Sequence, residues 1–188
     1  MHFILGSGLW DNYAMLIYLD TMIVQYTIDY EEYVFGEISG YYGECSVSEP
    51  TLKQELDALR QLIFLDQLGD WVYACTPHLW DELNAGQPTR EQQESYPLLM
   101  KAWKESAWTE AFPLEEGEVS RVEDSLKILK LSHAADRRHL AEAIVLNASW
   151  FLTNDKEVIK KSKGKNLPMR VARPSECLRE ISVGLFLI

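Results

Sequence analysis

Short apolar runs alternate with longer amphipathic stretches along this chain. The runs MLIYLD (15–20), WVYAC (71–75) and ASWFLTN (148–154) have the length and composition of buried strands, and MRVARP (169–174) is a weaker candidate. Helical stretches of ten or more residues separate strands of this kind. Because such long connections join parallel strands, the pattern predicts an α/β fold, a three-layer sandwich with a central, mainly parallel sheet.

The stretches between the strand candidates have helical periodicity. Pro50 precedes one apolar stripe, and Thr76 followed by Pro77 is typical of an N-cap with proline at the first helical position. The segment 36–50 is rich in Gly and Ser and is typical of a loop. Helices are predicted over these stretches: 21–35, 51–69, from Pro77 onward, 91–112, 119–131 and 135–148.

The length of the chain, 188 residues, fits one domain, and no internal repeat or linker divides it. We therefore expect a single domain over residues 1–188. Met15 would make a natural start for the first strand, so residues 1–14 form either an N-terminal extension or an added packing segment. The final run ISVGLFLI (181–188) predicts an edge strand or a surface that buries against a partner chain, such as a second copy.

The composition is that of a globular protein, with 47% apolar and 25% charged residues. No apolar run reaches the roughly 18 residues that would span a bilayer, and the N-terminus does not resemble a secretory signal. The cysteines, Cys45, Cys75 and Cys177, are far apart and odd in number. These features predict a cytoplasmic protein with reduced thiols and no membrane association.

The charge is distributed unevenly. The net charge is −11, which is the wrong sign for a protein that simply coats nucleic acid. Residues 156–179 hold eight Lys or Arg and two Glu, a net of +6, so the remainder holds ten basic and 27 acidic residues, a net of −17. A lysine run of this kind is either a solvated face or a binding surface.

Four acidic residues occupy positions where parallel strands end or helices begin. Asp20 ends the first strand, Glu82 lies in a helix that follows a strand, Asp136 begins the strongest helix, and Asp155 follows a later strand. If the strands before Asp20 and Asp155 are neighbours near the centre of the sheet, all four could converge on one edge, where the sites of α/β proteins lie.

Packing carboxylates together is unfavourable. Two of them ~5 Å apart repel by roughly 3 kcal/mol at an effective dielectric constant of ~20. A divalent cation would neutralise them, and oxygen ligands suit Mg²⁺ or Mn²⁺. Each acid also has a structural alternative. Asp136 is a good N-cap, Asp155 is typical of a turn, and Glu82 could be a surface helix residue.

Three segments resemble the PIN-domain nucleases. IYLDTMIVQY is similar to the opening of that family, in which a strand ends in Asp-Thr, and TPHLWDEL is similar to the segment with its second acid. ADRRHLAEA followed by SWFLTNDKEVIKK resembles its C-terminal part. The resemblance covers roughly residues 15–175. One departure is Met22, because the family usually has Asn after Asp-Thr, and that Asn typically braces the site.

The resemblance implies a metal-dependent ribonuclease that hydrolyses RNA phosphodiester bonds. Its metal ligands and catalytic residues would be Asp20, Glu82, Asp136 and Asp155, holding Mg²⁺ or Mn²⁺, with Thr21 and Asn154 in support. Many members are toxins of toxin–antitoxin systems, which implies a small antitoxin-like protein inhibitor as a partner. We predict that Lys156, Lys160 and Lys161, which follow Asp155, contact the RNA phosphates.

The alternative function is a PIN-like RNA-binding or protein-interaction module with weak or no catalysis. Met22 favours this alternative, because a thioether braces a polar site poorly. The four acids disfavour it, because a binding module has no need of mutually repelling carboxylates. His139 lies three residues after Asp136, on the same helix face, and either orients that carboxylate or packs in the core.

Overall fold

The fold is built around a parallel β-sheet. A computed structural model of the chain describes residues 15–35, 49–66, 71–74, 76–86 and 114–185. Within these residues the strands are β1 (Met15–Leu19), β2 (Trp71–Ala74), β3 (Trp150–Leu152) and β4 (Arg170–Ala172). Their order across the sheet is β2-β1-β3-β4, and every pair is parallel. The predicted α/β class with a parallel sheet is thus confirmed.

Most helices that accompany the sheet follow the predicted amphipathic stretches, but those over Lys156–Ser162 and Pro174–Leu185 were not predicted. Proline begins three of them, where its missing N–H would have no partner in any case. Their bounds are α1 (Thr21–Asp29), α2 (Glu31–Val34), α3 (Pro50–Asp66), α4 (Pro77–Ala85), α5 (Glu116–Ser125), a 3₁₀ turn (Leu126–Leu129), α6 (Ala134–Val145), α7 (Lys156–Ser162) and α8 (Pro174–Leu185).

Hydrophobic side chains pack on both faces of the sheet, because alternate residues of a strand point to opposite sides. Ile17 and Leu19 belong to one core cluster, which is shared with α1, α3, α4 and α8. Tyr18 and Phe151 belong to a second cluster, which is shared with α5, α6 and α7, and their rings stack with centroids 5.4 Å apart. Helices cover both faces, an arrangement compatible with three layers.

The structure corrects several predicted bounds. The amphipathic stretch 21–35 is divided into α1 and α2 at Tyr30. The predicted helix over 119–131 begins earlier, and its last turn is 3₁₀. The prediction of an edge strand in ISVGLFLI is wrong as far as residue 185, because α8 continues through these residues and packs along α3.

Other predictions lie outside the described residues. These are the extension over 1–14, nearly all of the loop 36–50, and the helix over 91–112. The division of the chain into one domain also stays a prediction. Among the described helices, none is both long enough and apolar enough to cross a membrane.

Candidate active site

The central strands bring two of the predicted acids to one edge of the sheet. β1 and β3 are neighbours, and the Asp20 backbone N–H donates to the Leu152 carbonyl at 3.0 Å. The buried Asp20 side chain accepts from the Thr21 N–H at 2.8 Å and from the Thr153 hydroxyl at 2.5 Å. Burial raises the pKa of Asp20 above its usual value, although these hydrogen bonds oppose the change.

Glu82 reaches the same edge from α4. Its Oε2 accepts from the Thr21 hydroxyl at 2.5 Å and contacts His139 Nε2 at 2.6 Å. The hydrogen bond to His139 is the main reason that the pKa of Glu82 falls to about 2. Glu82 is therefore held by hydrogen bonds, although its side chain is 36% exposed and so lies partly at the surface. Thr21 supports two of the acids, as the family resemblance implies.

His139 connects Glu82 to a buried polar network beneath the edge. On the other side of its ring, Nδ1 lies 2.9 Å from the Tyr18 hydroxyl. Tyr18 donates to Glu142 Oε2 at 2.7 Å, and Thr76 donates to the same oxygen at 2.6 Å. The other Glu142 oxygen accepts from Arg138 Nε at 2.9 Å. Three elements, β1, α4 and α6, thus share one hydrogen-bonded cluster with the residue before α4.

The donor count assigns the protonation of His139. Nε2 faces a carboxylate, so it must carry a hydrogen. Tyr18 has one hydroxyl hydrogen, which goes to Glu142, so Nδ1 must donate to the Tyr18 oxygen. Both ring nitrogens then carry hydrogen. Burial lowers the pKa of His139, but the hydrogen bond to Glu82 and the charges of Asp20, Glu82 and Glu142 outweigh it, so the pKa is raised.

Asp136 is an acid whose ionisation is disfavoured by burial and by neighbouring carboxylates. It lies in the first turn of α6, where His133 is the N-cap residue, so the N-cap alternative for Asp136 is wrong. Its Oδ2 is buried and has no hydrogen-bond partner among the described residues. Burial, followed by repulsion from Asp20 and then from Asp155, raises the pKa of Asp136 to about 6. Electrostatic repulsion from Asp20 and Asp155 therefore makes ionisation of Asp136 less favourable.

Asp155 is also the N-cap of α7. Its Oδ1 accepts from the N–H groups of Glu157 at 2.6 Å and Val158 at 3.0 Å. Its own N–H donates to the Thr153 hydroxyl at 2.9 Å, and that hydroxyl donates to Asp20. Thr153 thus links two of the acids. The Asn154 Oδ1 is buried without a hydrogen-bond partner among the described residues, so the bracing expected of Asn154 is supplied here by Thr153.

The three predicted phosphate-binding lysines differ in their surroundings. Lys161 is engaged within the chain, since its ammonium donates to Glu157 and to the Lys130 carbonyl. Lys156 and Lys160 are exposed and form no hydrogen bond or ion pair with the described residues. Lys156 lies nearest to the acids, because it directly follows Asp155.

The donor set suits a hard divalent cation, but its side chains are not arranged as a closed site. Carboxylates with an unpartnered buried oxygen fit Mg²⁺ or Mn²⁺ chemically. Among the described residues, however, no group of three or more His, Cys, Asp or Glu side chains is placed so that one ion could bind it. A cation would therefore require Asp136 and its neighbours to draw together.

The residues that hold the acids were only partly foreseen from the sequence. The alternative in which His139 packs in the core is confirmed, because His139 is buried and its ring stacks on His78 with centroids 5.0 Å apart. Its contact with Glu82 was not predicted. Thr153 and Glu142 were not singled out. Glu142 had a signal, because a charged residue three positions after His139 on the buried stripe of α6 requires polar partners.

In comparisons with known proteins, no family model matches the chain, and no curated protein or solved structure matches it either.

Proposed function

We propose that this protein is a metal-dependent ribonuclease of the PIN-like kind that hydrolyses RNA phosphodiester bonds. The observation that supports the proposal is the state of Asp136, whose Oδ2 is buried without a hydrogen-bond partner among the described residues and whose pKa is raised to about 6 by burial and then by repulsion from Asp20 and Asp155. A fold gains no stability from such repulsion. A site that binds a cation explains why the acids lie together.

Asp20, Glu82, Asp136 and Asp155 would hold Mg²⁺ or Mn²⁺, which would polarise the phosphate and favour attack by water. The chain itself contributes orientation. Thr153 fixes Asp20, while Thr21 and His139 fix Glu82, so two carboxylates are held before substrate arrives. Preorganised groups of this kind need little rearrangement during the reaction.

Asp136 has a second capacity in the absence of a cation. With a pKa of about 6 it exchanges a proton near neutral pH, which is the range expected of a general acid or base. In that role its carboxylate would accept a proton from an attacking water. The charge on the RNA is offset by Lys156, which lies beside the acids and forms no ion pair with the described residues.

A binding module without catalysis is the second candidate function. It is favoured by the lack of a three-ligand group among the described residues and by Met22, which leaves the family position for a bracing Asn without an amide. In that case the acids would serve as helix caps and network residues, as Asp155 and Glu142 already do.

A cleavage assay on single-stranded and structured RNA separates the two functions. The purified chain is incubated with Mg²⁺ or Mn²⁺ beside an EDTA control, and Asp20→Asn is compared with Asp124→Asn. Asp124 is an exposed residue that pairs with Lys127 and provides a matched change of charge. We expect metal-dependent cleavage that is lost in Asp20→Asn and retained in Asp124→Asn.

Equal behaviour of the wild type and Asp20→Asn would refute the nuclease. RNA binding without cleavage would then support the binding module.

A further inference from the structure

The carboxyl edge of the sheet carries a second feature beside the acids, a cleft of about 250 Å³. Three of its lining residues follow strand ends directly. Met22 comes just after Asp20-Thr21, Asn154 comes after β3 and Thr153, and Arg173 comes directly after β4. Because parallel strands end at one edge, the cleft opens on the same side as Asp20 and Asp155. An RNA strand whose phosphate lies at the acids would pass this cleft.

The walls of the cleft combine a flat aromatic surface with apolar contacts. Tyr26 lies one helical turn after Met22 on α1, so the two side chains share a face. Met22 is 38% exposed, so part of its thioether side chain is accessible from the cleft. Leu52 lines the opposite wall from α3. Bases in single strands stack on tyrosine rings, and a thioether also makes favourable contacts with aromatic systems.

The acidic residues that line the cleft are already used by the protein. Glu49 accepts from the N–H groups of Thr51, at 3.1 Å, and Leu52 at the start of α3. Glu55 accepts from the N–H and the hydroxyl of Ser175 at 2.9 and 2.8 Å. These carboxylates therefore act as caps and are not available as cation ligands.

Cationic and amide side chains also line the cleft. Lys156 is exposed and has no ion pair among the described residues, whereas Arg173 forms a long ion pair with Glu55 at 4.0 Å. Asn154 lines the cleft as well, although its Oδ1 is buried and has no hydrogen-bond partner among the described residues. An amide can pair with the edge of a base, and two cations suit the phosphates on either side of it.

We propose that this cleft, lined by Met22, Tyr26, Asn154, Lys156 and Arg173, binds one unstacked base of a single-stranded RNA and so positions the neighbouring phosphate at the acids. The inference rests on the proposed function for the identity of the strand. In this proposal Met22 contacts the base, whereas the Asn that PIN-domain nucleases usually have at this position braces the acidic site.

RNA binding, measured in EDTA so that no metal-dependent cleavage occurs, tests the cleft separately from catalysis. A fluorescently labelled 12-nucleotide single-stranded RNA is titrated with protein in EDTA, and its anisotropy gives the dissociation constant. Tyr26→Leu keeps the apolar packing of α1 but removes the ring, so we expect binding about ten-fold weaker. Tyr26→Trp should restore the affinity. Phe64→Leu, at an exposed aromatic of α3 outside the cleft, should leave it unchanged.

Two outcomes would overturn the cleft. One is an unchanged dissociation constant for Tyr26→Leu with its fold intact by circular dichroism, and the other is equal affinity of the wild type for the single strand and for its duplex. A 4-thiouridine in the oligonucleotide should crosslink to the peptide that holds Met22 and Tyr26. If the cleft binds RNA but the protein is not a nuclease, Tyr26→Leu should still weaken RNA binding while the wild type shows no metal-dependent cleavage.

Discussion

Asp136 is the residue whose chemistry most clearly departs from that of a surface carboxylate. Its pKa is raised to about 6, above the value of 3.8 expected for the unfolded chain. Well below pH 3.8 the group is protonated in both states, and burial carries no charge penalty. Between pH 3.8 and about 6 the unfolded chain loses this proton while the folded chain retains it, so the free energy of unfolding falls over this range and then levels off.

We therefore predict that Asp136→Asn is more stable than the wild type at pH 7 to 8 in EDTA, and that the difference disappears toward pH 4. Thermal unfolding across this pH range measures it. Asp124→Asn serves as the control, because Lys127 lowers the pKa of Asp124 and the substitution should not stabilise. A wild type that is the more stable protein at pH 7 would show that Asp136 is not under strain.

His139 is the residue that connects the acids to the core. Replacing it with Ala leaves Tyr18 and Glu82 each without one hydrogen-bond partner, so we expect a loss of about 1–3 kcal/mol in the free energy of unfolding. Urea denaturation measures this loss. The exposed His133 forms no side-chain cap, so His133→Ala should have little effect.

The pH dependence of the His139 effect has a definite sign. Because the pKa of His139 is raised in the folded chain, its stabilising contribution is fully present below the unfolded value of 6.5 and is lost as the pH rises through the folded pKa. The difference between the wild type and His139→Ala should therefore shrink toward pH 9. A difference that grows with pH would contradict the assignment of hydrogen to both ring nitrogens.

Asp155 has two roles that substitution can separate, since it is the N-cap of α7 and a proposed cation ligand. As an N-cap it is replaceable by Asn, which caps a helix about as well, whereas Ala would lose about 1 kcal/mol. As a cation ligand it is not replaceable by either. We predict that Asp155→Asn retains the stability of the wild type, that Asp155→Ala loses about 1 kcal/mol, and that both lose RNA cleavage. Full RNA cleavage by Asp155→Asn would show that Asp155 acts only as the N-cap of α7.

The strands and helices were predictable where periodicity and capping chemistry are local. β1, α4 and α6 lie within a few residues of their predicted places, because an apolar run, Thr76-Pro77 and the stripe around Leu140 each define an element without distant contacts. The proposed strand at the C-terminus was wrong through residue 185, since a short apolar run fits a helix or a strand. These residues form the end of α8, which is stabilised by packing along α3.

The candidate site was predictable in its acids but not in what holds them. The position of Asp20 and Asp155 after strands predicted their common edge, and the order of β1 and β3 bears this out. The network from Tyr18 to Glu142 joins residues 124 positions apart, and no local pattern specifies such a pair. The partner of His139 was unpredictable for the same reason.

The charge distribution of the chain gives a prediction about binding. Lys156 lies beside the acids without an ion pair among the described residues, whereas Lys161 on the same helix is engaged by Glu157 and the Lys130 carbonyl. We predict that Lys156→Gln weakens RNA binding and reduces the slope of log affinity against log salt by about one, and that Lys161→Gln does so less. Equal effects would show that the basic segment acts only through its total charge.

Binding of Mn²⁺, followed by electron paramagnetic resonance, tests most directly whether the acids form a cation site. The free Mn²⁺ signal should fall as the wild type is added, with affinity weakened at least about ten-fold in Asp136→Asn and in Asp20→Asn and unchanged in Asp124→Asn. If the wild type leaves the free Mn²⁺ signal unchanged, or if all four proteins bind alike, the acids do not hold a metal and the proposed ribonuclease is refuted.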